Sequence, residues 1–191
     1  MSEPLRILAF AGSTRRQSFN KTLVAIAAQG ASSAGAEVTL LDLADYPLPL
    51  FDQDLEQEQG LPAQGEALRQ LVLAHHGILL ASPEYNGSLT AVLKNAIDWV
   101  SRPHRDGQAP FADKVAAIMS ASPGQLGGLR GLNHARNVLT NLGVWVLPQQ
   151  IAIPAAHQAF TASGELQDER RQSQVQELGA KTVQTVRKLG L

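Results

Sequence analysis

The chain has no cysteine, which excludes disulfides, thiolate-ligated zinc, iron–sulfur clusters and a thiol nucleophile. It also has no surplus of either charge: 16 Lys and Arg stand against 17 Asp and Glu, for a formal net charge of −1. Nucleic acids and anionic membranes are met by basic stripes, and nothing here supplies one. No apolar run approaches the ~18 residues of a membrane-spanning helix. The start, Met-Ser-Glu-Pro, lacks the charged and apolar regions of a signal peptide. The expectations are a cytoplasmic location, no membrane insertion and no nucleic-acid partner. There is no G-x-S-x-G elbow of an α/β-hydrolase. His104, His134 and His157 lack the i,i+4 spacing of a metal pair, while His75 and His76 fall at a helix end whose dipole favours imidazolium. No metal is expected.

What the sequence does have is alternation. Its 191 residues, 44% of them apolar, suffice for one well-buried domain, expected over 1–191. Short apolar runs at 5–11, 37–43, 77–82, 114–120 and 143–147 read as strands. Longer amphipathic segments at 20–34, 63–75, 89–101, 127–142 and 167–189 read as helices. Five strands separated by helices predict an α/β sandwich, a five-stranded parallel sheet covered on both faces. Ligands of such sheets sit beyond the carboxyl ends of the strands. The stretch 44–62 is too long for an ordinary loop, and Leu48, Leu50 and Phe51 are too apolar for a free one. They are expected at a dimer contact or at the rim of the site. Trp99 is expected in packing, and Asp98 in a polar contact rather than as a base.

Three loops follow strands at that edge. The first, GSTRRQSFN (12–20), has a single glycine where a dinucleotide fold needs G-x-G-x-x-G. Hydroxyls, backbone N–H groups, a helix start and an Arg instead make a cradle for a terminal monophosphate. A mononucleotide such as FMN is favoured over a dinucleotide. Simple capping of the helix would explain Ser18 but not the whole cluster. The second loop, PEYNGS (83–88), combines a fixed φ at Pro83 with the turn-forming Asn86-Gly87. Its backbone donors suit the edge of a flavin ring, and Tyr85 offers a flat face. The third, SASPGQLGG (120–128), is built of small residues that leave room for the ring's far side and ribityl chain.

These segments, with LKNAIDWVSR (93–102), resemble the NADPH-dependent FMN reductase family, specifically its bacterial quinone- and chromate-reducing members. The resemblance runs nearly end to end and implies a flavodoxin-like three-layer α/β/α fold. Carried over by position, Ser13, Thr14, Arg15, Ser18, Phe19 and Asn20 would bind the FMN phosphate. Pro83, Glu84, Tyr85, Asn86 and Gly87 would line the isoalloxazine. The 120–124 stretch, with Ser120, Ser122 and Gly124 foremost, would meet the ring or ribityl side. The resemblance further implies a homodimer, with a homotetramer as the alternative. In relatives an Arg matched by Arg130 joins an intersubunit contact, but Asn133 and Gln149 stand where its partners are expected.

A flavin carries its own redox chemistry, so no catalytic side chain is required. NADPH or NADH would reduce FMN, then leave, and a small acceptor (quinone, flavin, chromate, azo or nitro compound) would take two electrons at the same face. The alternative is a flavodoxin-type electron carrier, for which a net charge of −1 offers little acidic docking surface.

Overall fold

The computed structural model describes residues 4–102 and 107–191. Its elements run β1 (Arg6–Ala11), α1 (Phe19–Ser33), β2 (Glu37–Leu41), a 3-10 turn (Leu43–Asp45), α2 (Gln53–Gln59), α3 (Ala63–Ala74) and β3 (Gly77–Ala81). There follow β4 (Glu84–Tyr85), β5 (Ser88–Leu89), α4 (Ala91–Val100), β6 (Val115–Ala121), α5 (Leu129–Asn141), β7 (Trp145–Ile153), α6 (Ala156–Ala159) and α7 (Glu169–Leu189). Five strands form one sheet in the order β2-β1-β3-β6-β7, and every pairing in it is parallel. This is the expected three-layer sandwich, in the strand order of flavodoxin-like sheets. The order reverses between β1 and β3, where a crevice opens at the carboxyl edge.

Both faces of the sheet are buried, which explains why its central strands are continuously apolar. Ile7, Ala9, Leu79, Ala117 and Met119 point to the layer of α1 and α7, against Leu23, Ala27, Val175 and Val183. Leu8, Phe10, Ile78, Leu80 and Ile118 point to α3, α4 and α5, against Leu68, Leu93, Ile97 and Leu132. Each such Leu or Ile contributes roughly 1.5–3 kcal/mol by leaving water. The α1–α7 contact is close because Gly30 and Gly179 have no side chains. A Cβ on Gly179 would lie 1.9 Å from Ala27 O, and one on Gly30 1.9 Å from Gln176 O.

Two departures from the sequence reading have plain causes. The fifth strand does not stop at residue 147 but continues through Pro148 to Ile153. Ala116 pairs with Val146, and the ladder resumes with Ile118 opposite Gln150, so Ala117 faces a three-residue bulge. An edge strand with a bulge tolerates a proline. The second departure is in 44–62, which holds the 3-10 turn and α2 and is bound to its own chain. Pro49 O accepts from Asn95 Nδ2 and from Trp99 Nε1, each at 2.8 Å, and Phe51 N–H donates to Asn95 Oδ1 at 2.8 Å. The Phe51 ring meets Trp99 edge-on, with centroids 5.0 Å apart. Leu48 packs against the core. Of the three apolar residues, Leu50 alone faces outward, at 78% exposure. Trp99 is fully buried, as expected, and Asp98 pairs with Lys94 at 2.7 Å.

Candidate active site

β1 gives way to the first loop at Gly12. Its N–H donates to Ala81 O at 2.9 Å, and its carbonyl accepts from Thr90 Oγ1 at 2.6 Å. Thr90 also caps α4, accepting from Leu93 N–H. A Cβ at position 12 would come within 2.9 Å of the Leu93 side chain, so the approach of α4 demands glycine there. The loop then crosses the carboxyl edge into α1. Ser13 and Ser18 are both buried. Ser18 stands at the N-cap position with extended backbone, yet its hydroxyl makes no capping hydrogen bond, and the first turn carries no acidic residue. Capping therefore does not account for Ser18, and the positive end of the helix dipole keeps its attraction for an anion. Arg15 N–H donates to Ser13 Oγ at 3.2 Å. The Arg15 guanidinium lies 5.3 Å from the centroid of Phe19, which is itself stacked on Phe160.

The second loop is a hairpin rather than a simple turn. Tyr85 pairs with Ser88 across Asn86-Gly87, whose φ angles are 53° and 79°, the conformation a two-residue type I′ hairpin requires. Tyr85 is 58% exposed. The Glu84 carboxylate is turned away from solvent, accepting from Arg130 Nε at 2.9 Å and Gly131 N–H at 3.0 Å. Burial alone would raise its pKa, but the Gly131 and Arg130 hydrogen bonds outweigh that and hold it below the ordinary value. The Glu84 carboxylate is thus a weakened base whose oxygens are committed to Arg130 and Gly131.

The third loop leaves β6 beside α1. Asn20 Nδ2 donates to Ala121 O, and Ala121 N–H donates to Asn20 Oδ1. Ser122 Oγ accepts from Gly124 N–H at 3.3 Å. Ser120 is fully buried, with its Oγ unpartnered, behind Gly128.

One cleft of about 280 Å³ gathers Ser13, Arg15, Ser18, Phe19 and Asn20 from the first loop, Pro83, Glu84 and Tyr85 from the second, and Ala121, Ser122 and Pro123 from the third. That is just below the roughly 300–1,000 Å³ typical of ligand pockets, so a bound ring would keep a face open. One end offers hydroxyls, a helix start and a cation; the other offers an aromatic face. Glu84, the acid in the cleft wall, is neutralised by Arg130. The donor set fits a planar ligand with a single phosphate. Five expected residues lie outside the lining. Thr14 turns into a neighbouring hollow with Leu43, Tyr46 and Val92. Asn86 and Gly87 form the hairpin tip, Ser120 is enclosed, and Gly124 shapes the loop. Ala121 and Pro123, which stand in the cleft wall, fall within the 120–124 stretch expected there. Arg130 as the partner of Glu84 was not expected, because no local signal points to it.

The opposite edge of the sheet corrects another expectation. His75 is buried, with Nδ1 at 2.6 Å from Leu71 O and Nε2 at 2.8 Å from Thr39 Oγ1. Burial lowers its pKa, helped by the nearby Arg6, Lys114 and His76 charges and opposed by the Leu71 bond. It is a neutral imidazole, not an imidazolium on a dipole. His104 lies outside the described residues. Among the described residues no cluster of three or more His, Asp or Glu is placed to hold a metal, and no helix is long and apolar enough to cross a membrane.

A family model described as NADPH-dependent FMN reductase matches residues 5–158. An NAD(P)H-dependent FMN reductase of Pseudomonas aeruginosa is 36% identical over 178 residues, which span 93% of this chain and 92% of that protein. A quinone reductase of Escherichia coli K12 is 40% identical over 149 residues, 77% of this chain and 76% of its own. Among solved structures, FerB, a flavoenzyme NAD(P)H:(acceptor) oxidoreductase from Paracoccus denitrificans, aligns with a TM-score of 0.79 at 28% identity, covering 96% of this chain and 98% of that one.

Proposed function

The chain belongs to the NADPH-dependent FMN reductase family, and from that premise we propose that its cleft holds FMN for the two-electron reduction of quinones and similar small acceptors. It is an oxidoreductase, an NAD(P)H-dependent FMN/quinone reductase with FMN as cofactor. The net change is NAD(P)H + H⁺ + quinone → NAD(P)⁺ + hydroquinone.

The observation that carries the proposed site is the pairing of an uncapped, acid-free α1 start and Arg15 at one end of the cleft with Tyr85 at the other. Ser13, Arg15 and Ser18 would bind the phosphate by charge-assisted and hydroxyl hydrogen bonds. Phe19 holds the Arg15 guanidinium in place, and Asn20 fixes the first loop to the third. Pro83 and Tyr85 would flank the ring, with backbone donors of 84–87 at its edge, and Ser122 would face the ribityl side. Bound FMN supplies the redox chemistry, accepting a hydride equivalent and passing on two electrons. The small, open cleft supports a ping-pong order, because it leaves one ring face to be shared in turn by nicotinamide and acceptor. The same openness suits free flavins, chromate, azo and nitro compounds. We take residues 1–191 as one FMN-binding domain acting in the cytoplasm as a homodimer. A flavodoxin-type carrier lacks support in a chain of net charge −1.

The test is a visible spectrum of purified protein followed by anaerobic titration with NADPH and with NADH, then steady-state oxidation of each with a benzoquinone. A yellow protein bleached by nicotinamide and turning over with quinone is expected. A colourless protein that refuses added FMN overturns the reading, and one bleached only by dithionite points to the carrier.

A further inference from the structure

We propose that Arg130 is a positioning residue for the flavin ring, acting through Glu84 to lock the β4–β5 hairpin onto the first turn of α5. The proposal rests on the FMN reading above and assigns the ring-end geometry to a residue that itself touches no ligand.

A hairpin of two two-residue strands has no stability of its own in water. The Asn86-Gly87 turn gives it a shape but not a location. α5 supplies the location through three neighbouring positions. Arg130 engages Glu84 Oε1 through Nε at 2.9 Å and Nη2 at 2.7 Å, while Gly131 N–H, one of the orphan donors of a helix start, engages Oε2 at 3.0 Å. Gly131 lets the hairpin backbone rest directly on the helix: a Cβ there would be 3.2 Å from both Glu84 Cβ and Ser88 O. One turn on, His134 Nδ1 shares a hydrogen bond with Ser88 Oγ at 2.9 Å. Both strands of the hairpin are thereby fixed to one helix.

Tyr85 projects from this clamp between the fixed Glu84 and the turn, and it is otherwise exposed. Its orientation depends on the backbone at its base. Arg130 is the strongest link in that base, because its forked geometry fixes direction as well as distance. Glu84 side-chain exposure is 7% and that of Arg130 65%, so removing Arg130 costs little packing while stripping a buried carboxylate of its counter-ion.

The experiment measures dissociation constants of FMN and of riboflavin, which lacks the phosphate, on apoprotein. Arg130→Ala is expected to weaken both by the same factor, about tenfold, and to leave bound FMN more fluorescent than in the parent protein. Arg130→Lys should recover part of both losses. Arg15→Ala provides the contrast, weakening FMN while sparing riboflavin. Unchanged affinity for both ligands in Arg130→Ala, or a loss confined to FMN, overturns the proposal. If Arg130→Ala does not fold, Arg130→Lys decides, and riboflavin affinity equal to the parent's overturns it. A parent protein that binds neither ligand fails the FMN reading itself and takes this proposal with it, an outcome distinct from any of the variant results.

Discussion

Asn20 on α1 and Ala121 at the end of β6 hold each other by two hydrogen bonds, Nδ2 donating to Ala121 O at 2.8 Å and Ala121 N–H donating to Oδ1 at 2.9 Å. The bridge ties the first loop to the third and still leaves one Nδ2–H and one Oδ1 lone pair uncommitted. Asn20→Ala leaves a buried N–H and C=O unpaired, at a cost of about 3 kcal/mol. Asn20→Asp keeps an acceptor for the N–H but sets a carboxylate against Ala121 O. Urea denaturation of the apoprotein should rank the parent above both variants; equal midpoints would show that the bridge carries no stability.

Ser18 gives the opposite pattern. Its side chain makes no capping hydrogen bond, so Ser18→Ala should change the stability of the apoprotein by less than about 0.5 kcal/mol, where loss of a working cap costs ~1 kcal/mol. FMN affinity should nevertheless fall by roughly tenfold, the worth of one hydrogen bond to a charged group. Ser18→Asp, which places a like charge against the phosphate, should abolish binding. Calorimetric titration with FMN measures both, and a Ser18→Asp protein that binds normally would remove the phosphate from this end.

How much of this was legible beforehand depended on whether the signal was local. The central strands announce themselves because burial on both faces makes Ile78–Leu80 and Val115–Met119 apolar without a break. β7 does not, since Pro148, Gln149 and Gln150 break its pattern at an edge that only the bulge explains. α2 has no buried residue and so no periodicity to read. The hairpin at 84–89 is too short for an alternating pattern and showed only its Asn-Gly turn. The three site loops were readable because hydroxyls, Arg15 and Tyr85 cluster at strand ends. The roles of Asn20 and Glu84 were not, because their partners lie 101 and 46 residues away.

His75 predicts a pH dependence whose sign follows from its partners. Leu71 O can only accept, so Nδ1 carries the proton and Nε2 accepts from Thr39 Oγ1–H. Burial lowers the folded-state pKa below the ordinary 6.5. Below 6.5 the unfolded chain binds a proton that the folded chain does not, so stability falls as pH drops from there toward the lowered value. It is fully present above 6.5. Denaturation midpoints at pH 8, 7, 6 and 5 should decline over the last two steps, and His75→Gln should flatten that decline. A parent curve flat from pH 8 to 5 would mean the imidazole charges in place without cost.

The contact of α7 with α1 sets two effects of a single methyl group against each other. Gly179 lies inside a 21-residue helix, where alanine is favoured by roughly 1 kcal/mol over glycine. The added Cβ, however, would stand 1.9 Å from Ala27 O and 3.0 Å from Ala31 N. These are backbone atoms of a buried helix that cannot move aside as a side-chain tip would. Overpacking of this kind costs roughly 1–3 kcal/mol, more where backbone must shift, so the clash wins. Gly179→Ala should lower the melting temperature of the apoprotein by several degrees. FMN affinity at 20 °C should stay unchanged, because the cleft is built on other residues. A variant as stable as the parent would mean that α7 slides outward freely and that the close α1–α7 approach contributes nothing to the fold.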